Sequence, residues 1–286
     1  MLHIPISSFF LVGIPGLQDF HCWIGIPVFL LFAVTLLGNS IIIATVKLEP
    51  SLHQPMYFFL CMLAVNDMAL SSSTAPKMLG TFWFSDHRIG FNGCLTQMFF
   101  IHTLCIIESA LLVAMAFDLC VAICIPLHYM TILKTSMVIK LGLLGLSRAI
   151  ILVIPSPFLI KRLPHYTNYI INHAYLMILD LGLIATSYIK FLQAVFQLSS
   201  QNARSKALGT CAAHVCTILV SYTPALFSFL THRIGKKVPP SVNIIFASLY
   251  LLIPPTVNPL AYGIKTKQIR DRVVGLFFPN KKISEH

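Results

Sequence analysis

Seven long apolar runs decide what this chain can fold into. They cover roughly residues 24–46, 57–78, 95–123, 138–160, 175–198, 207–230 and 242–262. Each is near the ~20 residues that a helix needs to cross hydrocarbon. Lipid offers no partner to an open backbone N–H or C=O, so runs of this kind span as helices. Only 10% of the 286 residues are charged, whereas a soluble domain carries about 25%. With 57% apolar residues and a mean hydropathy of +0.82, the chain lacks the polar residues to cover a soluble core of this size. A multi-span, all-α membrane protein is the expected class, as one domain over residues 1–286. The fifth run is the poorest, because it holds Asp180 and Lys190 and overlaps the polar string from Tyr166 to His173.

The net charge of +11 does not point to nucleic acid. Basic residues fall at the ends of the runs and in the last segment, Lys265 to Lys282, without the aromatic interleaving of an RNA-binding surface. With the N-terminus outside, twelve Lys and Arg fall on the inner side and seven on the outer side. The positive-inside rule therefore favours an extracellular N-terminus and a cytoplasmic C-terminus. Beyond Tyr262, the residues Ile269, Val273, Leu276 and Phe277 recur at helical spacing between basic residues. They predict an amphipathic surface helix over about 266–278 that contacts membrane lipid. A disordered basic tail is the alternative. The start of the chain has no basic segment ahead of an apolar one and does not read as a cleaved signal peptide.

Polar residues inside apolar spans usually face the bundle interior and act there. Asn39, Asp67, Glu108 and Asn258 are of this kind, and Pro259 breaks the helix ladder beside Asn258. A structural hydrogen-bond network is the other reading, at least as good for Asn39. His102, Cys105 and Ser109 share one stripe of the third run. A lone histidine there is more often a satisfied core residue than a ligand contact. Asp118 reads as an uncompensated carboxylate that marks a membrane boundary, with Pro126 ending the helix soon after. Of eight cysteines, Cys94 alone stands in a polar loop; the others lie in or beside apolar runs and behave as small hydrophobes. H-E-x-x-H, G-x-S-x-G and G-x-x-x-x-G-K are all absent, and His102 and Glu108 do not make a metal pair. No enzyme activity and no cofactor are expected.

The stretch Met115-Ala-Phe-Asp-Leu-Cys-Val-Ala-Ile-Cys-Ile-Pro-Leu-His-Tyr129 resembles the end of the third helix of the odorant receptors, a branch of the rhodopsin-like G-protein-coupled receptors. The family pattern is M-A-Y/F-D-R-Y-V-A-I-C-x-P-L-x-Y. Further matches lie at Gly38-Asn39, at Pro55-Met-Tyr-Phe-Phe-Leu60 with Asp67, at Lys206-Ala-Leu-Gly-Thr-Cys-Ala-Ala-His214, and at Pro254-Pro-Thr-Val-Asn-Pro-Leu-Ala-Tyr262. Phe10-Leu-Val-Gly-Ile-Pro-Gly-Leu17 and Thr231-His-Arg-Ile-Gly235 look like the fish-like class I subgroup.

The resemblance implies a seven-helix bundle in the plasma membrane that binds a small odorant and couples to the olfactory stimulatory G protein. It implies an odorant pocket at His102, Cys105, Ser109, Ser228, Phe229 and Arg233, where Arg233 would grip a carboxylic acid. A snorkelling, lipid-facing arginine is the alternative. It implies an activation network of Asn39, Asp67, Glu108, Asn258, Pro259 and Tyr262, linked through water or an ion. A G-protein-facing end at Asp118, Leu119 and Cys120 follows as well.

Three departures set this chain apart from the pattern. Leu119 and Cys120 replace the family's arginine and tyrosine. Tyr166 to Tyr175 runs straight into a stretch resembling the middle of the fifth helix, so the second extracellular loop and the upper fifth helix look shortened; with no cysteine between Cys124 and Cys211, Cys94 lacks its loop partner. No N-x-S/T sequon is present. These departures predict a decayed or internally deleted member, retained in the endoplasmic reticulum and impaired in signalling. A non-signalling relic or dimerising partner of the same fold is the second reading. A small transporter or channel is the third, weakened by the lack of inverted-repeat halves.

Overall fold

A computed structural model describes residues 8–10, 13–14, 16–155, 157–158, 239–265 and 267–277, with helical positions scattered between 182 and 227. Its long elements are α1 (His21–Leu48), α2 (Pro55–Trp83), α3 (Phe91–Cys124), α4 (Thr135–Val153), α5 (Pro240–Lys265) and α6 (Lys267–Phe277). Five helices among the described residues are long and apolar enough to cross a membrane, and they hold the first four and the seventh of the apolar runs. The described positions of the fifth and sixth runs are helical too.

Proline places the boundaries. Pro55 opens α2 at its first position, where a missing N–H costs nothing. Pro126 opens the 3-10 turn Pro126–His128 that ends α3, and a single helical turn at Tyr129–Ile132 follows. α1, α2, α3 and α5 outrun the apolar runs that predicted them. α2 continues to Trp83, and α3 begins at Phe91, so Cys94 lies in its first turn and not in a loop. With 34 residues, α3 is about 50 Å long, more than the ~30 Å hydrocarbon core. Its two ends therefore reach past the hydrocarbon on a bundle of this thickness.

The helical bundle carries one small addition: β1 (Ser8–Phe10) pairs antiparallel with β2 (Arg88–Gly90), Phe9 opposite Ile89. The pairing fastens the segment before α1 onto the α2–α3 connection. Lys77 of α2 braces that connection, donating to Oδ2 of Asp86 at 2.6 Å, to the Asp86 carbonyl at 3.0 Å and to the Arg88 carbonyl at 2.7 Å.

Without a hydrophobic drive between helices in lipid, close packing and buried polar bonds hold the bundle. A Cβ at Gly38 would stand 3.0 Å from the Pro259 ring, so glycine lets α1 and α5 approach. Gly25 does the same for Trp83, whose Nε1 donates to the Cys22 carbonyl at 3.2 Å. At the Asp118 end, Ile42, Val46, Tyr57, Leu63, Met115, Val138, Tyr262 and Ile269 form one buried apolar cluster drawn from α1 to α6. The predicted surface helix is α6: Ile269 is fully buried in that cluster and Val273 packs against it. Arg270 and Arg272 stay half exposed, and Arg272 reaches Glu49 at 3.3 Å.

Candidate functional site: a polar core within the bundle

Gly38 and Asn39 act together. Pro259 has no N–H, so the helical bond that it would donate to the carbonyl of Pro255 is missing. Asn39 supplies the substitute. Its Nδ2 donates to the Pro255 carbonyl at 3.1 Å and to the Thr35 carbonyl at 2.9 Å. Beside it, the hydroxyls of Thr35 and Thr256 meet at 2.9 Å. The freed carbonyl at a helix break is thereby satisfied from α1, deep in the protein.

Two carboxylates lie at the centre. Asp67 on α2 is fully buried, and its Oδ2 accepts from Nδ2 of Asn258 on α5 at 2.9 Å. Glu108 on α3, also buried, accepts at Oε1 from the hydroxyl of Ser221 at 3.0 Å and lies within electrostatic reach of Asp67. Oδ1 of Asp67, Oδ1 of Asn258 and Oγ of Ser71 are buried without a hydrogen-bond partner. Buried oxygens of this kind are the donor set of a hard cation or of ordered water. The predicted members Asn39, Asp67, Asn258 and Pro259 thus stand on facing helices α1, α2 and α5, with Glu108 beside Asp67. Tyr262 is buried in the apolar cluster next to them. Ser221, Thr35 and Thr256 were not predicted. A hydroxyl in an apolar run gives no sequence signal, because most such hydroxyls bond back to their own helix.

The stripe on α3 divides. The Cys105 thiol is hydrogen bonded to Tyr250 of α5. The Ser109 hydroxyl donates to the Ile106 carbonyl of its own helix at 3.0 Å, so its proton is not available to a ligand. His102 is half-buried and already has a contact within the protein. Ser228, Phe229 and Arg233 lie outside the described residues.

At the opposite end of α3, Asp118 is not the uncompensated boundary carboxylate that the sequence predicted. It is buried six residues before the helix ends, and its Oδ1 accepts from the hydroxyl of Tyr129 at 2.9 Å. Folding the turn after Pro126 back onto α3 creates the pair. Burial, followed by the Asp118 carboxylate, holds the Tyr129 phenol above its ordinary pKa, which keeps the proton in place. Leu119 packs with Ile123 and Tyr188 around Val195, which is fully buried. Where the family pattern has a charged side chain, this chain has an apolar contact between α3 and the fifth run. Cys120 and Cys124 bring their sulfurs to 3.6 Å, one turn apart. Tyr188 also stacks on His214 and is hydrogen bonded to its Nδ1, joining the fifth and sixth runs. Cys94 carries a free thiol.

A family model described as olfactory receptor matches residues 28–182 and 176–280. Human olfactory receptor 52P1 is 48% identical over 298 residues, covering 95% of this chain and 93% of that protein. Human olfactory receptors 52K1 and 52H1 are 46% and 48% identical, each covering 95% of both chains. A match of 298 residues to a chain of 286 puts an internal gap in this one. The family match is itself broken near residues 176–182, where the sequence reads as shortened. The chain belongs to the olfactory receptor family: it is a multi-pass, seven-helix receptor of the plasma membrane and not an enzyme.

Proposed function

We propose that this receptor takes a small odorant, with preference for a carboxylic acid, inside the helix bundle and signals weakly through a stimulatory G protein. The observation that carries the reading is the polar core. Paired Asp67–Asn258 and Glu108–Ser221 contacts join α2, α3, α5 and the sixth run, so a ligand-driven shift of one helix must break or exchange bonds on the others. Asn39, Pro259 and Tyr262 complete that network. The oxygens left without partners around Asp67 favour a bound cation or water as its remaining link.

The acid preference rests on Arg233 with His102 nearby, flanked by Cys105, Ser109, Ser228 and Phe229. A guanidinium holds a carboxylate through two parallel bonds. The N-terminus is outside and the C-terminus inside, on the bias of basic residues.

The weakness of signalling has two sources. Cys94 is a free thiol, so the outer end of α3 is not tied to the second loop, and many copies are retained in the endoplasmic reticulum. Losing a native disulfide typically costs about 2–5 kcal/mol, comparable to a protein's whole stability margin. Leu119 offers the G protein no polar contact beside Asp118 and Cys120. The same apolar cluster favours the second reading, a membrane protein of this fold that no longer signals.

Surface staining combined with odorant-driven cyclic AMP tests both. Weak surface staining with a small acid-selective response supports the receptor reading. Good staining with no response to any odorant supports the non-signalling one. Robust cyclic AMP from the unaltered chain overturns the proposed impairment.

A further inference from the structure

At the end of the bundle opposite Asp118, α2, α3 and α5 line an open-mouthed cavity of about 350 Å3. None of its described lining residues belongs to the proposed acid site, which is built on Arg233. Its walls are apolar, with Met78 and Phe82 from α2, Ile101 from α3 and Leu251 from α5. The volume falls within the range of small-molecule sites and exceeds what one or two waters would fill.

The polar groups on this cavity are few, and their protons are almost all in use. The Thr74 hydroxyl donates to the Leu70 carbonyl at 3.0 Å. The Thr81 hydroxyl donates to the Lys77 carbonyl at 3.0 Å, and that of Ser248 to the Ile244 carbonyl at 2.8 Å. Gln97 uses one amide N–H on the Ser73 carbonyl, at 2.8 Å. Lys77 directs its ammonium at Asp86 Oδ2 and at the carbonyls of Asp86 and Arg88, which matches its three protons with three acceptors. Among the described lining residues, what remains toward the cavity is oxygen lone pairs and one Gln97 N–H.

That chemistry selects the ligand. A carboxylate entering here would lose part of its water and find, among the described lining residues, neither a free cation nor a cluster of donors. An ammonium would find lone pairs but no uncompensated negative charge, beside a wall that carries Lys77. A neutral molecule with one hydroxyl fits: it donates to an idle lone pair, accepts from Gln97 and lays its hydrocarbon on the apolar wall. We infer that the α2–α3–α5 cavity is a second odorant site, selective for small aliphatic alcohols over the acids of the same length.

The test uses the full-length receptor in nanodiscs, with hexan-1-ol and hexanoate as probes at neutral pH. Each is followed by the shift in thermal midpoint and by protection of Ser248→Cys from a small thiol reagent, read at that residue by mass spectrometry. Hexan-1-ol is expected to raise the midpoint and slow labelling at position 248, and hexanoate to do neither. Ala247→Phe, which fills the cavity, should abolish both effects of the alcohol. Gln97→Leu, which removes the one donor, should weaken binding about threefold to tenfold, the equivalent of one hydrogen bond. Arg233→Ala should leave hexan-1-ol binding unchanged, so failure of the acid site and failure of this one are read separately. Equal protection by hexanoate overturns the inference. So does an alcohol effect that survives Ala247→Phe, which would be partition into the bilayer. If Ala247→Phe does not fold, the Ser248→Cys protection and the Gln97→Leu loss still decide.

Discussion

Nδ2 of Asn39 donates to the carbonyl of Pro255 at 3.1 Å, in place of the backbone N–H that Pro259 lacks. The bond crosses from α1 to α5 at the point where Gly38 lets the Pro259 ring come close. Asn39→Ala leaves the carbonyl buried and unpaired, so about 1–3 kcal/mol of stability should be lost. Asn39→Asp should cost more, because a carboxylate has no proton for that carbonyl unless it is itself protonated. Thermal unfolding in nanodiscs measures both. An Asn39→Ala protein as stable as the parent would mean that the carbonyl finds another partner.

The pair at Asp67 and Asn258 makes a prediction of non-additivity. Asn258→Leu strands a buried carboxylate and should be strongly destabilising. Adding Asp67→Leu removes the stranded group, so the double variant should be more stable than Asn258→Leu alone. A double-mutant cycle on unfolding midpoints reads the coupling. Simple additivity would show that the two side chains do not depend on each other.

Tyr129 should matter to Asp118 through its hydroxyl alone. Tyr129→Phe keeps the ring and removes the hydroxyl that donates to Oδ1, with an expected cost of about 1–3 kcal/mol. Adding Asp118→Asn should recover part of it, since an amide is less costly to bury than a carboxylate. No recovery would place the effect of Tyr129→Phe in packing instead.

The brace at Asp86 is sensitive to acid. The hydrogen bond from Lys77 holds the Asp86 carboxyl below the usual aspartate range, with smaller help from the Lys77 charge, the Arg88 backbone and His87. The folded value is the lower one, so the contribution is fully present above the unfolded value of about 4 and is lost as pH falls through the folded value. In a Trp23→Phe background, the emission of Trp83 should change over that acid interval. A Lys77→Met receptor, which has no brace to lose, should not show this change. Identical titrations for the two would rule out the brace as the cause.

Leu119→Arg should not rescue signalling by itself. It drives a guanidinium against Val195, Ile123 and Tyr188, where leucine now makes an apolar contact. Surface staining should stay the same or fall, and cyclic AMP should not rise. Repair of the shortened loop and fifth helix should raise surface staining first, and both repairs together should give the largest signal. A strong response from Leu119→Arg alone would locate the whole defect at that residue.

The sequence by itself determined the membrane class and the family, because those follow from properties of contiguous residues. Apolar length specifies a span, proline specifies its ends, and ordered motifs from Gly38-Asn39 to Pro254–Tyr262 specify the kin. It also singled out Asn39, Asp67, Glu108 and Asn258 as candidates, since a polar group in hydrocarbon is conspicuous in one dimension. Their partners were not legible. Asp67 meets Asn258 across 191 residues, and Glu108 meets Ser221 across 113. Only the packing of helices decides which side chains face one another. The same holds for Asp118, which looks unpaired along the chain until the turn after Pro126 brings Tyr129 back to it. The alcohol-sized cavity belongs wholly to tertiary structure. Thr74, Gln97 and Ser248 are ordinary polar residues in sequence; their chemistry toward a ligand depends on which carbonyls have already taken their protons.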